Sequence, residues 1–344
     1  MLARRSNLRL KNGTTVALPM LVPSFSSKGF GLAREVGQKK SYSRVSAYLD
    51  LIHPYLNTSF LLSGYDLHFG HLKNTTTSYH SAALVFIDSG GYELSPDYDS
   101  SEPRVYDHEP SSFTVADYAK VLQHLPQGQF IVANFDHTAK GNPVEVQIQV
   151  AQKFFAGQSR FLNNFIIKSS GKRAAYLDTN AVVANVAKCR GFNVLGFTEK
   201  ELGNNLIDRL RTIAKIRAAM DREDVALPIH IWGGLDPLLT PLYFFAGAEI
   251  FDGVSWMRYA YWDGLAVSRE SYAILGKGIE TPQDHASALT LNENITVLQK
   301  LTTSFQQFVD GDGKDFDMFE PRAGVLSRAY KTMLTRIPEM KGEQ

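Results

Sequence analysis

Seven short apolar runs alternate with helical stretches along this chain, and that alternation limits the folds open to it. The runs are continuously apolar, which is typical of strands buried on both faces of a parallel sheet. The stretch between two of them, 203–222, places Leu206, Leu210 and Ile213 close to the helical period. Predicted strands cover 59–67, 82–90, 128–136, 163–170, 191–197, 227–234 and 248–254, and predicted helices cover 114–125, 143–157, 178–188, 203–222 and 236–246.

At least seven parallel strands within 344 residues favour an α/β fold of the closed (β/α)8 TIM-barrel type over an open sheet. Alternating residues around Asn12-Gly13 predict an antiparallel hairpin ahead of the barrel. Residues 292–309 predict a C-terminal helix that packs on the barrel. We therefore expect a single domain over 1–344, with the hairpin in 1–25, the barrel in 26–265 and a reduced helical part in 266–344.

Charge, cysteine content and hydropathy exclude several classes of protein. The net charge of +1 gives no overall attraction for a polyanion, so a nucleic acid would have to bind a local patch. A single cysteine, Cys189, excludes a disulfide framework or a cysteine-rich zinc site within the chain. The first residues contain no apolar signal core, and no stretch reaches the ~20 apolar residues that span a bilayer. We expect a cytoplasmic protein that does not contact a membrane.

Three of the predicted strands end in an aspartate: Asp88, Asp136 and Asp252. Catalytic groups of parallel barrels stand at the carboxyl ends of the strands, so the three carboxylates are expected to converge. An aspartate at a strand end also suits a cap on the next helix, and that reading stays open for each of them. Converging carboxylates bind a divalent metal or act as nucleophile and acid/base on a glycosidic bond. The histidines show no zinc-binding spacing, and we expect neither a metal nor a cofactor.

Several segments match, in order and spacing, the motifs of one enzyme family. DSGGYEL at 88–94 is similar to D-S-G-G-[FY]-Q, and FDGVSWMR at 251–258 is similar to F-D-x-V-x-x-x-R. GFNVLGFTEKE at 191–201 is similar to G-Y-A-I-G-G-L-S-V-G-E, and LPIHIWGGLDP at 227–237 to the strand that ends in M-G-V-G-x-P. Over nearly its whole length the chain resembles the tRNA-guanine transglycosylase family, whose (β/α)8 barrel exchanges a base in a nucleic acid.

The resemblance implies roles for the three aspartates and two aromatic residues. Asp252 would be the nucleophile that attacks C1′ of the target nucleotide and forms a covalent aspartyl–sugar intermediate. Asp88 would be the general acid/base and would contact the base edge. Asp136 would accept hydrogen bonds from the N1–H and exocyclic amine of a guanine-like base. Tyr92 and Trp232 would stack on its two faces, which is worth about 1–3 kcal/mol per base.

The remaining base-binding residues come from the same motifs. The backbone N–H of Gly196 would meet the base carbonyl, because a side chain there would block close approach. Ser89 and Gly90 would let the backbone approach the base beside Asp88. Lys168 stands where the family has a glutamine. It would either donate a hydrogen bond to a carbonyl or nitrile of the base or form a salt bridge with a nearby acid such as Glu93.

Three basic residues and a missing segment indicate how the chain would bind a nucleic acid and which nucleic acid it would be. Arg258 would hold a phosphate or orient the loop around Asp252. Lys172 and Arg173, at a predicted loop or helix start, suit either a phosphate contact or a solvated turn. Residues 265–291 contain no cysteine, so the family's zinc subdomain is lost. This loss favours the branch that inserts a 7-deazaguanine such as preQ0 into DNA, with helper proteins for DNA access; tRNA is the alternative polymer.

Two other functions stay open at this point. A non-catalytic, nucleic-acid-binding partner subunit would need the barrel and the base pocket but not the nucleophile, which the chain retains. An unrelated barrel hydrolase would use the three aspartates to hold a divalent cation, and its activity would be lost with a chelator.

Overall fold

Eight parallel strands close into a barrel, which confirms the predicted α/β TIM-barrel fold. The computed structural model describes residues 2–30, 32–34, 41–72, 79, 82–95, 110–136, 140–171 and 174–341. In chain order the strands are β1 (Ser6–Arg9), β2 (Thr15–Leu18), β3 (Met20–Phe25), β4 (Leu32–Arg34), β5 (Ser41–Ser43), β6 (Ser59–Ser63), β7 (Leu84–Asp88), β8 (Phe130–Ala133), β9 (Leu162–Ile167), β10 (Val194–Thr198), β11 (Ile229–Trp232), β12 (Ile250–Gly253), β13 (Ala260–Trp262) and β14 (Leu265–Val267).

The barrel consists of β3 and β6 to β12, and β12 closes it by pairing with β3. The helices are α1 (Arg44–Ile52), α2 (Gly64–Phe69), α3 (Gly91–Leu94), α4 (Val115–His124), α5 (Val144–Ala156), α6 (Thr179–Asn185), α7 (Leu206–Arg222), α8 (Thr240–Phe245), α9 (Ser255–Arg258), α10 (Arg269–Gly276), α11 (Gln283–Asp310) and α12 (Ala323–Arg336). Short 3-10 helices lie at His53–Tyr55, Val186–Cys189, Glu199–Glu201, Asp317–Phe319 and Pro338–Lys341.

All seven predicted barrel strands form, and the eighth lies in the segment predicted as hairpin. The hairpin itself is β1 paired with β2. The next strand, β3, is buried at every position and pairs with β12 and β6. The predicted boundary at residue 26 is therefore wrong, because MLVPSF is buried at every position, as a barrel strand is, rather than at alternate positions as a hairpin strand is.

Two predicted helices begin later than expected because polar side chains cap or turn the chain ahead of them. Asn205 caps α7, since its side-chain oxygen accepts a hydrogen bond from the backbone N–H of Asp208 at 3.0 Å. Ahead of α8, the Asp236 carboxylate accepts from the backbone N–H groups of Leu238 and Leu239 at 2.8 and 2.9 Å. These bonds make a turn of residues 236–239, which were predicted to be helical.

The hairpin closes the lower, amino-terminal end of the barrel. Leu8, Leu10 and Leu18 pack in one apolar cluster with inward-facing barrel residues such as Val22 and Phe86. At the same end a buried ion pair joins Arg217 of α7 to Glu249 at 2.5 Å.

The C-terminal helix α11 extends the predicted helix 292–309 in both directions and supports the segment after β12. Its Phe305 stacks on Phe244 of α8, with ring centroids 4.5 Å apart. Its Asn294 side chain donates to the carbonyl of Trp256 at 2.6 Å and accepts from the backbone N–H of Tyr261 at 2.7 Å. The loop that follows Asp252 is thus held from outside the barrel. Within the described residues, no helix is both long and apolar enough to cross a membrane.

Candidate active site

The three predicted aspartates meet at the upper mouth of the barrel. Asp88 ends β7, Asp252 lies within β12, and Asp136 follows β8. The charges of Asp136 and Asp252 both act on the Asp88 carboxyl. β7 and β8 are neighbouring strands and β12 lies three strands from β7, yet their carboxylates come within electrostatic reach of each other, as expected for parallel strands that end at one edge.

Asp252 is a buried carboxylate with three hydrogen-bond partners. Ser24, on the neighbouring strand β3, donates its hydroxyl to Oδ2 at 2.8 Å. The ring Nε2 of His230 and the backbone N–H of Gly233 both lie 3.1 Å from Oδ1. Both oxygens of the carboxylate are thus engaged, and these three contacts fix its orientation.

Asp88 lies in a very different environment. Its Oδ1 accepts one hydrogen bond, from the backbone N–H of Gly90 two residues on. Burial, followed by the neighbouring charge of Glu93, raises the pKa of Asp88 well above its usual value, and Asp136 and Asp252 add to the effect. Asp88 therefore keeps its proton to higher pH than an ordinary aspartate does, which suits a general acid.

The double glycine after Asp88 has a structural reason. Gly90 has φ +77, in the left-handed region, and a Cβ on it would lie 2.7 Å from the Cβ of Tyr65. Only glycine fits this turn, which directs the chain into α3 and returns the Gly90 N–H to Asp88. The alternative reading of Asp88 as a local cap is thus partly correct, because one carboxylate oxygen closes this turn.

A second layer of acids lies behind Asp88. Glu93 is buried, accepts from the hydroxyl of Ser26, and has its pKa raised by burial. Asp66 accepts from both the backbone N–H and the hydroxyl of Ser27, and burial together with Glu93 raises its pKa well above the usual value. Among the neighbouring charges, that of Glu93 raises the pKa of Asp88 most, and Asp88 is thereby coupled to this second layer of acids.

Asp136 forms an ion-paired cluster with Lys168. The Lys168 ammonium lies 3.1 Å from Asp136, 3.3 Å from Glu201 and 2.7 Å from the hydroxyl of Thr198. Burial lowers the pKa of Lys168, but the charges of Asp136 and Glu201 outweigh it and leave the pKa raised. The predicted alternative of a salt bridge to a nearby acid is confirmed, but the partners are Asp136 and Glu201 rather than Glu93, because Lys168 directly follows β9 and meets acids that follow the adjacent strands β8 and β10.

The three hydrogens of the Lys168 ammonium match these three oxygens in number. A base that accepts a hydrogen bond from Lys168 would therefore replace one of its present partners. Ser89, the second residue of DSGGYEL, donates its hydroxyl to Asp136. In this structure Ser89 and Lys168 both orient the Asp136 carboxylate.

Gly196 lies directly beneath the indole of Trp232. A Cβ at this position would lie 2.5 Å from Nε1 of Trp232 and 2.7 Å from Oδ1 of Asn164. Trp232 itself is 9% exposed and stacks on the His230 ring, with centroids 4.4 Å apart. The predicted close approach at Gly196 is thus made by the Trp232 ring in this structure.

Gly196→Ala is expected to lower the free energy of unfolding by about 2 kcal/mol, because the added methyl group overpacks two buried side chains. Urea denaturation of both proteins measures the difference. Gly191→Ala is the matched control, since a Cβ at Gly191 meets nothing within 4 Å. Equal stability losses in the two variants would contradict the close approach at Gly196.

Tyr92 is positioned by two cationic side chains. The Arg258 guanidinium donates to the Tyr92 hydroxyl at 2.8 Å and to the carbonyl of Lys28 at 3.1 Å. The Lys28 ammonium lies 4.5 Å from the centre of the Tyr92 ring and donates to the Tyr92 carbonyl at 2.9 Å. Arg258 thus contacts Tyr92 of α3 and Lys28, and both of its predicted roles, a phosphate contact and orientation of the loop around Asp252, stay predictions.

Two predicted nucleic-acid-binding residues cannot be placed, and three residues of the site were not predicted. Lys172 and Arg173 lie outside the described residues. Ser24, His230 and Asn164 were missed, although His230 shares its strand face with Trp232 at a spacing of two. Within the described ranges, no group of three or more His, Cys, Asp or Glu side chains is arranged to hold a metal ion.

Comparison with known proteins adds no functional assignment. No protein-family model matches the chain, and no curated protein is significantly similar to it.

Proposed function

We propose that the chain is a base-exchange transglycosylase that replaces guanine in a nucleic acid, with DNA favoured, by a 7-deazaguanine such as preQ0. One observation carries the proposal. Asp252 and Asp88 share one barrel mouth, where Asp252 has three hydrogen-bond partners and Asp88 has a strongly raised pKa. Two neighbouring carboxyl groups in such different environments can take different roles, one as the nucleophile and the other as the general acid.

The exchange then runs in two displacements at C1′ of the target nucleotide. A carboxylate oxygen of Asp252 forms a bond to C1′ while the bond from C1′ to N9 of guanine breaks, and the electron pair of that bond leaves with the base. The proton of Asp88 neutralises the departing guanine. The entering base gives a proton back to Asp88, and its N9 displaces Asp252 from C1′. No net proton is consumed.

Recognition of the base is assigned to the cluster around Asp136. Ser89 and Lys168 orient this carboxylate, whose acceptor oxygens suit the N1–H and exocyclic amine of a guanine-like base. Tyr92, held by Arg258, offers a ring for stacking. Replacement of one Lys168 partner by a base carbonyl or nitrile would adjust the cluster to the entering base.

The preference for DNA rests on the segment after β12. Residues 265–291 contain no cysteine, and their described structure includes the strand β14, the helix α10 and the start of α11. A target inside a DNA duplex has to be flipped out, at a cost of a few kcal/mol. With a net charge of +1, the chain has little overall attraction for DNA, so helper proteins for DNA access belong to the proposal.

Exchange of radiolabelled guanine, run in parallel on duplex DNA, single-stranded DNA and bulk tRNA, tests this function. We expect label to enter DNA with the wild-type protein and not with Asp252→Ala. Label in tRNA alone would retain the enzyme class and overturn the DNA preference. Label in no polymer, even with cell extract added to supply helper proteins, would contradict an exchange enzyme.

A further inference from the structure

A chain of buried polar side chains runs from the barrel interior to the Asp252 carboxylate. The Nδ2 of Asn164, on β9, lies 2.7 Å from Nδ1 of His230, on β11. The Nε2 of the same ring lies 3.1 Å from Oδ1 of Asp252, on β12. Asn164 and His230 are both fully buried. We infer that Asn164 and His230 are positioning residues that hold Asp252 for its attack on C1′; this inference rests on the proposed function.

The hydrogen bonds define which ring nitrogen carries the hydrogen. An amide nitrogen only donates, so the Asn164 contact makes Nδ1 of His230 an acceptor, and the hydrogen of the neutral ring lies on Nε2. That N–H then donates to Oδ1 of Asp252. Nε1 of Trp232 and Oδ1 of Asn164 both lie close to the space above Gly196, and neither atom has a hydrogen-bond partner among the described residues.

Aromatic packing keeps the His230 ring in place. The Trp232 indole stacks on it with centroids 4.4 Å apart, and the Phe86 ring meets it edge-on at 5.6 Å. A ring confined in this way loses little further freedom when its N–H is aligned with a carboxylate. The same contact between Trp232 and His230 links the predicted base-stacking residue to the nucleophile.

The arrangement distinguishes the two oxygens of Asp252. Oδ1 accepts from both His230 and the backbone N–H of Gly233, whereas Oδ2 accepts from Ser24. A carboxylate oxygen has two lone pairs in its plane, so Oδ1 is fully used and Oδ2 retains one. The positioning residues thereby select Oδ2 as the oxygen that bonds to C1′, while the hydrogen of His230 stays on Nε2 throughout.

Two substitutions at His230 separate positioning from packing. His230→Phe keeps a ring but removes the donor, and we expect the kcat of base exchange to fall roughly 10–100-fold with little change in KM for the base. His230→Gln offers an amide N–H at the level of Nε2, and its kcat is expected to stay within about fivefold of the wild type. Phe86→Leu is the control for altered packing against the same ring. Equal losses in the Phe and Gln variants would overturn the inference.

The hydrogen position is measured independently of activity by NMR of protein labelled with 15N in its nine histidines. The His230 signal, identified by its absence from His230→Phe, is expected to show the hydrogen on Nε2, and Asn164→Ala is expected to release this preference. A hydrogen on Nδ1 in the wild type would overturn the inference. A wild-type protein that exchanges no base would contradict the proposed function, whereas the NMR result would still decide the hydrogen-bond chain.

Discussion

Asp252→Ala is expected to abolish base exchange, with kcat at least about 10,000-fold below that of the wild type, because the variant lacks the carboxylate that is proposed to form the bond to C1′. Ser24 and His230 would lose their acceptor but cannot replace the nucleophile. A denaturing gel after incubation with DNA measures the covalent protein–DNA adduct. We expect the adduct in the wild type and none in the variant.

Glu249→Gln is the matched control for this experiment. Glu249 is a buried carboxylate that lies immediately before β12, at the opposite end of the barrel, where it pairs with Arg217. Its substitution is expected to lower stability while leaving the kcat of the folded protein unchanged. Thermal denaturation of both variants separates loss of chemistry from loss of folding. A persistent adduct in Asp252→Ala would show that another residue is the nucleophile.

The barrel and the places of its carboxylates follow from short-range patterns in the sequence. Continuous apolar runs identify strands with two buried faces, and parallel strands with helical crossovers end at one edge. Asp88, Asp136 and Asp252 were therefore predicted from their positions after such runs. Ser24 stands at the same place on β3 and was missed, because its strand was assigned to the hairpin.

Contacts across the barrel depend on the stagger of strands, which no local pattern records. The spacing of two from Trp232 puts His230 on the inward face, and the spacing of four from Lys168 does the same for Asn164. That Asn164 meets His230 across β10 additionally requires the absence of a side chain at Gly196. The partners of Lys168 likewise depend on where the turn after β10 places Glu201.

Asp88→Asn is expected to lower the kcat of guanine release about 1,000-fold and to change its pH dependence. The proton needed by the departing base is present on Asp88 below its raised pKa and is lost as the pH rises through that value. Wild-type kcat should therefore fall on the alkaline side. The asparagine side chain has no acidic proton, so the small remaining activity of the variant should lack this decline.

The same raised pKa predicts that the wild type also loses stability as the pH rises. The folded protein binds the Asp88 proton more tightly than the unfolded chain does, so its contribution to stability is full at low pH and is lost as the pH rises through the folded-state pKa. Asp88→Asn removes this loss, so the variant should be more stable than the wild type at high pH, with a smaller difference at low pH. Thermal denaturation of both proteins over a range of pH measures how this difference in stability changes with pH. A variant that is inactive but shows the wild-type pH dependence of stability would place the raised pKa on another carboxyl of the cluster, such as Glu93.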